Sequence, residues 1–197
     1  MNPPERLYHA SSVQGLTAIV PTTSTHGAWV HAVADPVLAA CFLSTIGGDL
    51  TCAVGRDQQT GTPYVCERFE GALDRRYAGK PGSIYKLAGE GFLASQTPWE
   101  EELVSSEPVV VLEELCIDDS VAHLRSLAAV GRLLLVRYPS RIDGIPEDDS
   151  DLVERAVLWH RQFGEGVLDE FGTYHPHLLP RIRAAIAQRA ATSESRR

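Results

Sequence analysis

The stretch Leu7-Tyr8-His9-Ala10-Ser11-Ser12-Val13-Gln14-Gly15-Leu16-Thr17-Ala18-Ile19-Val20-Pro21 carries the first decision about the fold. A short run ends in a histidine and small hydroxyl residues. Gly15 then turns the chain into a second apolar, β-branched run that stops at Pro21. Two short strands around a turn satisfy this pattern. His9 is the awkward residue, because a buried imidazole needs partners on both ring nitrogens or a shifted pKa. Alone, the stretch reads as an apolar strand with one polar break.

Moving outward, the first two-thirds of the chain repeats this theme. Short segments rich in Val, Ile, Thr and aromatics, divided by Gly, Pro and polar turns, predict strands at 6–10, 17–20, 28–33, 49–54, 63–69, 82–88 and 103–115. One helix interrupts them. Asp35-Pro36 reads as an N-cap followed by proline at the first helical position, and the apolar run to Gly47-Gly48 predicts a core helix over 36–46. The segment 74–83 (DRRYAGKPGS) has loop composition. A helix capped by Asp119 or Ser120, then Gly131 and a buried strand, follow.

Beyond residue 143 the character changes. The polar segment 144–151 (GIPEDDSD) reads as a linker, three helical stretches follow, and the final ATSESRR reads as frayed. The expected organisation is a β-rich body over 1–143 and a helical extension over 144–197 packed on it.

Composition bounds the chemistry. The chain has 197 residues, 44% apolar and 22% charged, as in ordinary globular proteins. A net charge of −8 argues against nonspecific nucleic-acid binding, which needs clustered basic residues. No apolar run reaches the roughly 20 residues that span a bilayer, and the N-terminus lacks the apolar region of a secretory signal. The four cysteines are scattered without a C-x-x-C pair, as expected of free thiols in a cytoplasmic protein. The expectation is therefore no membrane partner and no metal.

Several chemistries lack their local signatures. No phosphate loop, no dinucleotide-binding G-x-G-x-x-G after a strand and no G-x-S-x-G elbow occurs. A cysteine nucleophile stays open. Among the histidines, His175-Pro176-His177 offers two ligand types, but no third stands nearby in sequence, and surface histidines are expected there. His123 and His160 fall in amphipathic helices and read as structural. His9 and His31 each lie in an apolar strand followed by small residues. In the acidic run 99–115, Glu100, Glu101 and Glu102 abut the strand that begins near Leu103, where a carboxylate can point into a cleft from a rigid backbone, whereas Glu113 and Glu114 read as a solvated face.

Taken in order, three stretches resemble the ADP-ribosyltransferase superfamily, in the His–Tyr–Glu branch shared by diphtheria toxin and poly(ADP-ribose) polymerases. LYHASS with GLTAIVP is similar to that branch's first strand, GAWVHAVADPVLAACF to its second motif, and EELVSSEPVVVLEEL to its third. His9 matches the signature histidine that binds the NAD ribose. Ala10 stands where the family has a glycine whose backbone meets the nicotinamide amide, and Ser11 matches the Ser/Thr after it. His31 replaces the stacking tyrosine, Ala39 matches a small residue, Phe42 matches the second aromatic beside the nicotinamide, and Glu102 matches the catalytic glutamate. The resemblance covers about half the chain, roughly 6–45 and 82–117.

The resemblance implies an α+β fold of split, mostly antiparallel β-sheets around an NAD cleft, with C-terminal helices. It implies NAD as substrate and transfer of ADP-ribose to an unidentified protein, nucleic acid, small molecule or water. Glu102, His9 and His31 are the expected catalytic set, and His9, Ala10, Ser11, His31 and Phe42 the expected NAD-binding set. Arg75, Arg76 and Lys80 are candidates for the pyrophosphate or an acceptor, and Arg56 and Arg68 are further basic candidates. Two other readings remain at this point. One is an enzyme like tRNA 2′-phosphotransferases, and the other is a noncatalytic NAD- or nucleotide-binding module.

Overall fold

The computed structural model describes residues 4–24 and 26–194. The strands, in chain order, are β1 (Arg6–Ser11), β2 (Ala18–Ile19), β3 (Thr22–Ser24), β4 (Gly27–Val33), β5 (Cys52–Arg56), β6 (Pro63–Glu67), β7 (Gly82–Ala88), β8 (Leu93–Ala94), β9 (Glu102–Ser105), β10 (Val109–Ile117) and β11 (Leu134–Val136). The helices are α1 (Pro36–Ala40), α2 (Ala72–Tyr77), α3 (Ser120–Ala129), α4 (Ser150–Phe163), α5 (Gly166–Tyr174) and α6 (Leu179–Glu194). The protein is α+β, with mostly antiparallel sheets and C-terminal helices. One sheet of eight strands runs β2-β10-β7-β1-β4-β9-β8, with β3 on β4, and a three-stranded sheet runs β11-β6-β5.

The large sheet has a weak seam. β1 pairs with β7 along its whole length, from Arg6↔Ala88 to Ser11↔Ser83, but with β4 only at Tyr8↔Val33. Past that pair the two strands are joined by no further register partners, so His9 to Ser11 and the first part of β4 border a gap in the sheet. On the other side of the seam, β4 pairs with β9 from Val30↔Ser105 to Val33↔Glu102.

Two clusters cover the faces of this sheet. One gathers Val33, Leu38, Leu43, Tyr77, Ile84 and Leu124, with Tyr8, Ala10, Phe42 and Trp99 packed against it. The other gathers Leu7, Val30, Ala32, Tyr85, Leu87 and Phe92. The alternation of Leu7 with Tyr8, and of Tyr85 with Ile84, between the two clusters is the period-2 pattern of a sheet buried on both faces.

Several sequence expectations are corrected. The single strand over 103–115 is two strands, because Glu107-Pro108 breaks the ladder and Ser105 Oγ donates to the Glu107 carbonyl. They pair on opposite sides of the seam, β9 with β4 and β10 with β7. The predicted strand at 49–54 begins instead with a 3-10 turn at Gly48–Leu50 before β5.

The core helix stops at Ala40, earlier than 46. Its cap is as expected: Asp35 accepts a 2.8 Å bond from Val37 N. Its end is set by distant groups. Tyr77 donates its hydroxyl to Cys41 O at 2.6 Å, and the buried Arg76 donates to the carbonyls of Ser44, Gly48 and Cys52. The loop reading of 74–83 holds only for the exposed 78–81: Asp74 to Tyr77 belong to α2, with Arg76 and Tyr77 buried, and β7 begins at Gly82.

The 144–151 segment is also no free linker. Ile145 and Asp149 are buried, and Asp149 contacts Arg68 and Arg141. Of the terminal ATSESRR, residues up to Glu194 continue α6, and 195–197 lie outside the described residues. The C-terminal helices build their own cluster from Leu152, Ala156, Val167, Phe171, Leu178 and Ile182, and Leu50 from the body inserts into it. Gly47, with φ +62, sits at this junction. A Cβ there would stand 2.5 Å from Thr51 Cγ2 and 2.8 Å from the Tyr174 ring, so the close approach requires glycine.

Candidate functional site

The seam between β1 and β4 places the expected site residues. His9, in β1, reaches across the gap and its Nδ1 lies 2.7 Å from His31 O in β4. A carbonyl only accepts, so Nδ1 carries the proton and Nε2 keeps its lone pair. His31 in turn places its Nδ1 3.0 Å from Glu102 Oε1, at the start of β9. That contact is close but off the line a hydrogen bond needs, and Nδ1 has no other partner. The register explains the approach. His31 is opposite Val104 and Val33 is opposite Glu102, so His31 and Glu102 are diagonal neighbours on one face. Three strands thus bring the three residues together: His9 meets the main chain of His31, and the His31 side chain meets Glu102.

The flanking aromatics come from two other segments. Phe42 follows α1, and its ring lies 5.6 Å from that of Trp99, tilted by 57°. Both rings and Ala10 pack against the cluster that includes Val33. Ser11 does not join the group: its hydroxyl accepts from Val13 N and closes the turn after β1. Gly82 lets β7 start close to this corner, since a Cβ there would sit 2.8 Å from Ser11 O and 3.1 Å from Leu43 O.

Two residues matter here in roles that the sequence did not announce. Trp99 is one; its only signal was an aromatic three positions before Glu102. The other is Arg56 as a brace. Its Nε donates to Glu101 Oε1 at 2.6 Å, and its NH1 lies 3.0 Å from Asp35 Oδ2. It therefore ties the cap of α1 to the residue next to Glu102. No local pattern announces a brace made between β5, α1 and β9.

Glu114 corrects the reading of a merely solvated face. Its Oε1 accepts from Gly15 N, Ser83 Oγ and Tyr85 OH, which holds the loop that follows β1.

The electrostatics divide the groups. Burial raises the Glu102 carboxyl, but the His31 imidazole against it and the Thr97 hydroxyl beside it, with the charges of His31 and His26, bring it below the ordinary value. Burial lowers His9; the bond to the His31 carbonyl opposes this and the charge of His31 adds to it. Glu102 is thus held ionised and His9 neutral. Burial pushes the thiols of Cys41 and Cys52 up to about 12 and raises Cys66 as well, so these three are poor nucleophiles.

Apart from the exposed Lys80, the basic candidates are engaged elsewhere. Arg75 lies over the rings of Tyr174 and Phe69, Arg76 is spent on backbone carbonyls, and Arg68 pairs with Asp151 and Asp149. No helix among the described residues is long and apolar enough to cross a membrane.

Nothing among protein-family models, curated proteins or solved structures matches this chain.

The same histidines set a pH dependence. His9, His123 and His175 all have pKa values lowered from 6.5, burial being the largest cause in each. The unfolded chain takes up protons at these sites before the folded one does, so stability is complete above 6.5 and falls as pH drops below it. Glu102, lowered from 4.5, adds its loss only further into acid. We expect Tm to be flat from about pH 8 to 7 and to fall steadily between about pH 6.5 and 5. A Tm that rises over the latter interval contradicts the neutral, buried assignment of these histidines.

Proposed function

We propose that the protein cleaves the nicotinamide–ribose bond of NAD and transfers ADP-ribose to an acceptor or to water, as ADP-ribosyltransferases do. The observation that carries this reading is the approach of His9 to the His31 main chain, and of the His31 side chain to Glu102, at the gap between β1 and β4. In this reading that gap is the NAD cleft of a split-sheet fold.

The residue chemistry suits each step. Loss of nicotinamide builds positive charge on the ribose, as in glycoside cleavage. Glu102, held ionised, is suited to stabilising that charge and to orienting the 2′-hydroxyl rather than to acting as a general acid. His9 offers its Nε2 lone pair to a ribose hydroxyl and positions the sugar. Phe42 and Trp99 supply aromatic faces for the nicotinamide, and His31 stands in place of the family's tyrosine. Ala10 offers only its backbone groups to the carboxamide.

The engagement of Arg56, Arg68, Arg75 and Arg76 in internal contacts weighs against a phosphotransferase, which must grip a phosphate with free basic groups.

The test is incubation with NAD while nicotinamide release is followed by chromatography. Release with a labelled acceptor marks a transferase and release without one a glycohydrolase; absence of release overturns the reading. Within it, His9→Ala should raise KM for NAD about tenfold, the worth of one hydrogen bond, with a smaller change in kcat. A collapse of kcat at unchanged KM would remove His9 from the positioning role.

A further inference from the structure

A second group of side chains converges where the C-terminal helices meet the body. Asp149 immediately precedes α4, His175 follows α5, and His177 lies in the 3-10 turn Pro176–Leu178 that leads into α6. One ring nitrogen from each histidine and a carboxylate oxygen of Asp149 all lie within 4.8 Å of one another. The sequence showed two histidines and no third ligand. The fold supplies it from 26 positions upstream of His175.

Each residue is prepared differently. His175 is 1% exposed, and its Nε2 stands 2.6 Å from Leu50 O. A carbonyl only accepts, so Nε2 carries the proton and Nδ1 is left with the lone pair. A backbone carbonyl that fixes ring and tautomer in this way is the usual outer support of a metal-binding histidine. Asp149 is buried too. Its arginine contacts, Arg68 at 3.5 Å and Arg141 at 3.4 Å, both fall on Oδ1 and are long for charge-assisted bonds. Arg68 is held closer by Asp151, at 3.1 and 2.5 Å. His177 is exposed and stands edge-on to His175, with ring centroids 5.8 Å apart.

Asp149 and His177 face a cleft of about 970 Å³ between the 138–149 segment and the start of α6. Three arginines line it, but none is free to hold an anion. Arg141 donates to the carbonyls of Glu67 and Arg68, Arg181 to Asp148, and Arg68 to Asp151 while its Nε is buried. Four carboxylates, of Asp143, Glu147, Asp148 and Asp149, line the same cleft and outnumber these arginines. The balance favours a cation.

We propose that Asp149, His175 and His177 bind a divalent transition metal of the zinc class, with one coordination position open to this cleft. Two imidazoles and one carboxylate form a borderline donor set, suited to zinc or cobalt rather than to calcium or magnesium, which take oxygen ligands. A metal–ligand distance of about 2.1 Å requires the donor atoms to close to about 3.5 Å apart, and the exposed His177 is the ligand with room to move. Bound metal would pin the α5–α6 turn to the start of α4. The site does not depend on the reading of the β1–β4 gap.

The test uses the full chain, freed of metal with a chelator and titrated with zinc against a chromophoric competitor. One equivalent should bind with a dissociation constant below about 1 µM, cobalt should give the intense visible bands of a tetrahedral site, and zinc should raise Tm. His177→Ala, an exposed substitution, should keep the far-ultraviolet circular dichroism, weaken zinc at least about tenfold and abolish the cobalt bands. No saturable binding tighter than about 10 µM, or equal binding by wild type and His177→Ala, overturns the proposal. Nicotinamide release plays no part in the readout, so the outcome is separable from the NAD reading.

Discussion

Glu102→Gln is expected to leave the fold intact and to lower nicotinamide release from NAD by about 10²–10³-fold, the usual cost of removing one group aimed at transition-state charge. The substitution keeps the shape of the side chain and removes its charge. The glutamine can still contact His31 and the Thr97 hydroxyl, so strand β9 should remain on β4. What is lost is an ionised carboxylate held below its ordinary pKa at the mouth of the gap. The loss should appear in kcat more than in KM, because the charge it answers develops only as the glycosidic bond breaks. Glu113→Gln is the control, since Glu113 is exposed and pairs with Lys86 on the far side of β7. Near-wild-type turnover by Glu102→Gln would remove Glu102 from the catalytic role.

Phe171→Ala should cost about 3–5 kcal/mol, the range for deleting a buried phenylalanine ring. Phe171 is 0% exposed and packs beside Trp159, with ring centroids 6.2 Å apart, in the cluster that also receives Leu50. For a chain of this length such a loss corresponds to a fall in Tm of about 10 °C. The more telling outcome is the shape of the transition. Leu50 belongs to the turn before β5, its carbonyl meets His175, and Arg155 of α4 pairs with Asp49 beside it. The C-terminal helices and the body should therefore unfold together. A separate early transition in Phe171→Ala, with the β-rich body melting at its wild-type temperature, would show the helices to be an independent unit.

The two expectations differ in how they could be reached. His9 and His31 were legible as histidines in apolar strands, whereas Glu102 was one of three acids at a strand mouth and was set apart only by the resemblance. Asp35 and Asp119 were legible as caps, and both accept the backbone N–H groups expected of them. Trp99 and Arg56 carried no such signal. A single aromatic in a polar loop and a single arginine at a strand end are ordinary. Only the approach of β5, α1 and β9 makes Arg56 a brace and Trp99 a neighbour of Phe42.

The misread elements share a cause. Residues 41–46 have the apolar composition of a helix, yet Arg76 and Tyr77, more than thirty positions away, take the Ser44 and Cys41 carbonyls and turn the chain. Residues 74–77 have the composition of a loop, yet they are helical because those same two side chains are buried among the carbonyls they satisfy. Propensity is a weak term beside several buried hydrogen bonds.

The sequence by itself thus determined the β-rich body with helices after it, most strand positions, two helix caps and the two histidines that break pattern, because periodicity, capping and turn chemistry act over a few residues. The tertiary structure alone decided that β1 and β4 part after Tyr8↔Val33, that His9 spans the gap to His31, and that Asp149 meets His175 and His177. These are contacts between residues far apart in the chain. Their free energy depends on how the sheets and helices pack, and no local pattern encodes it.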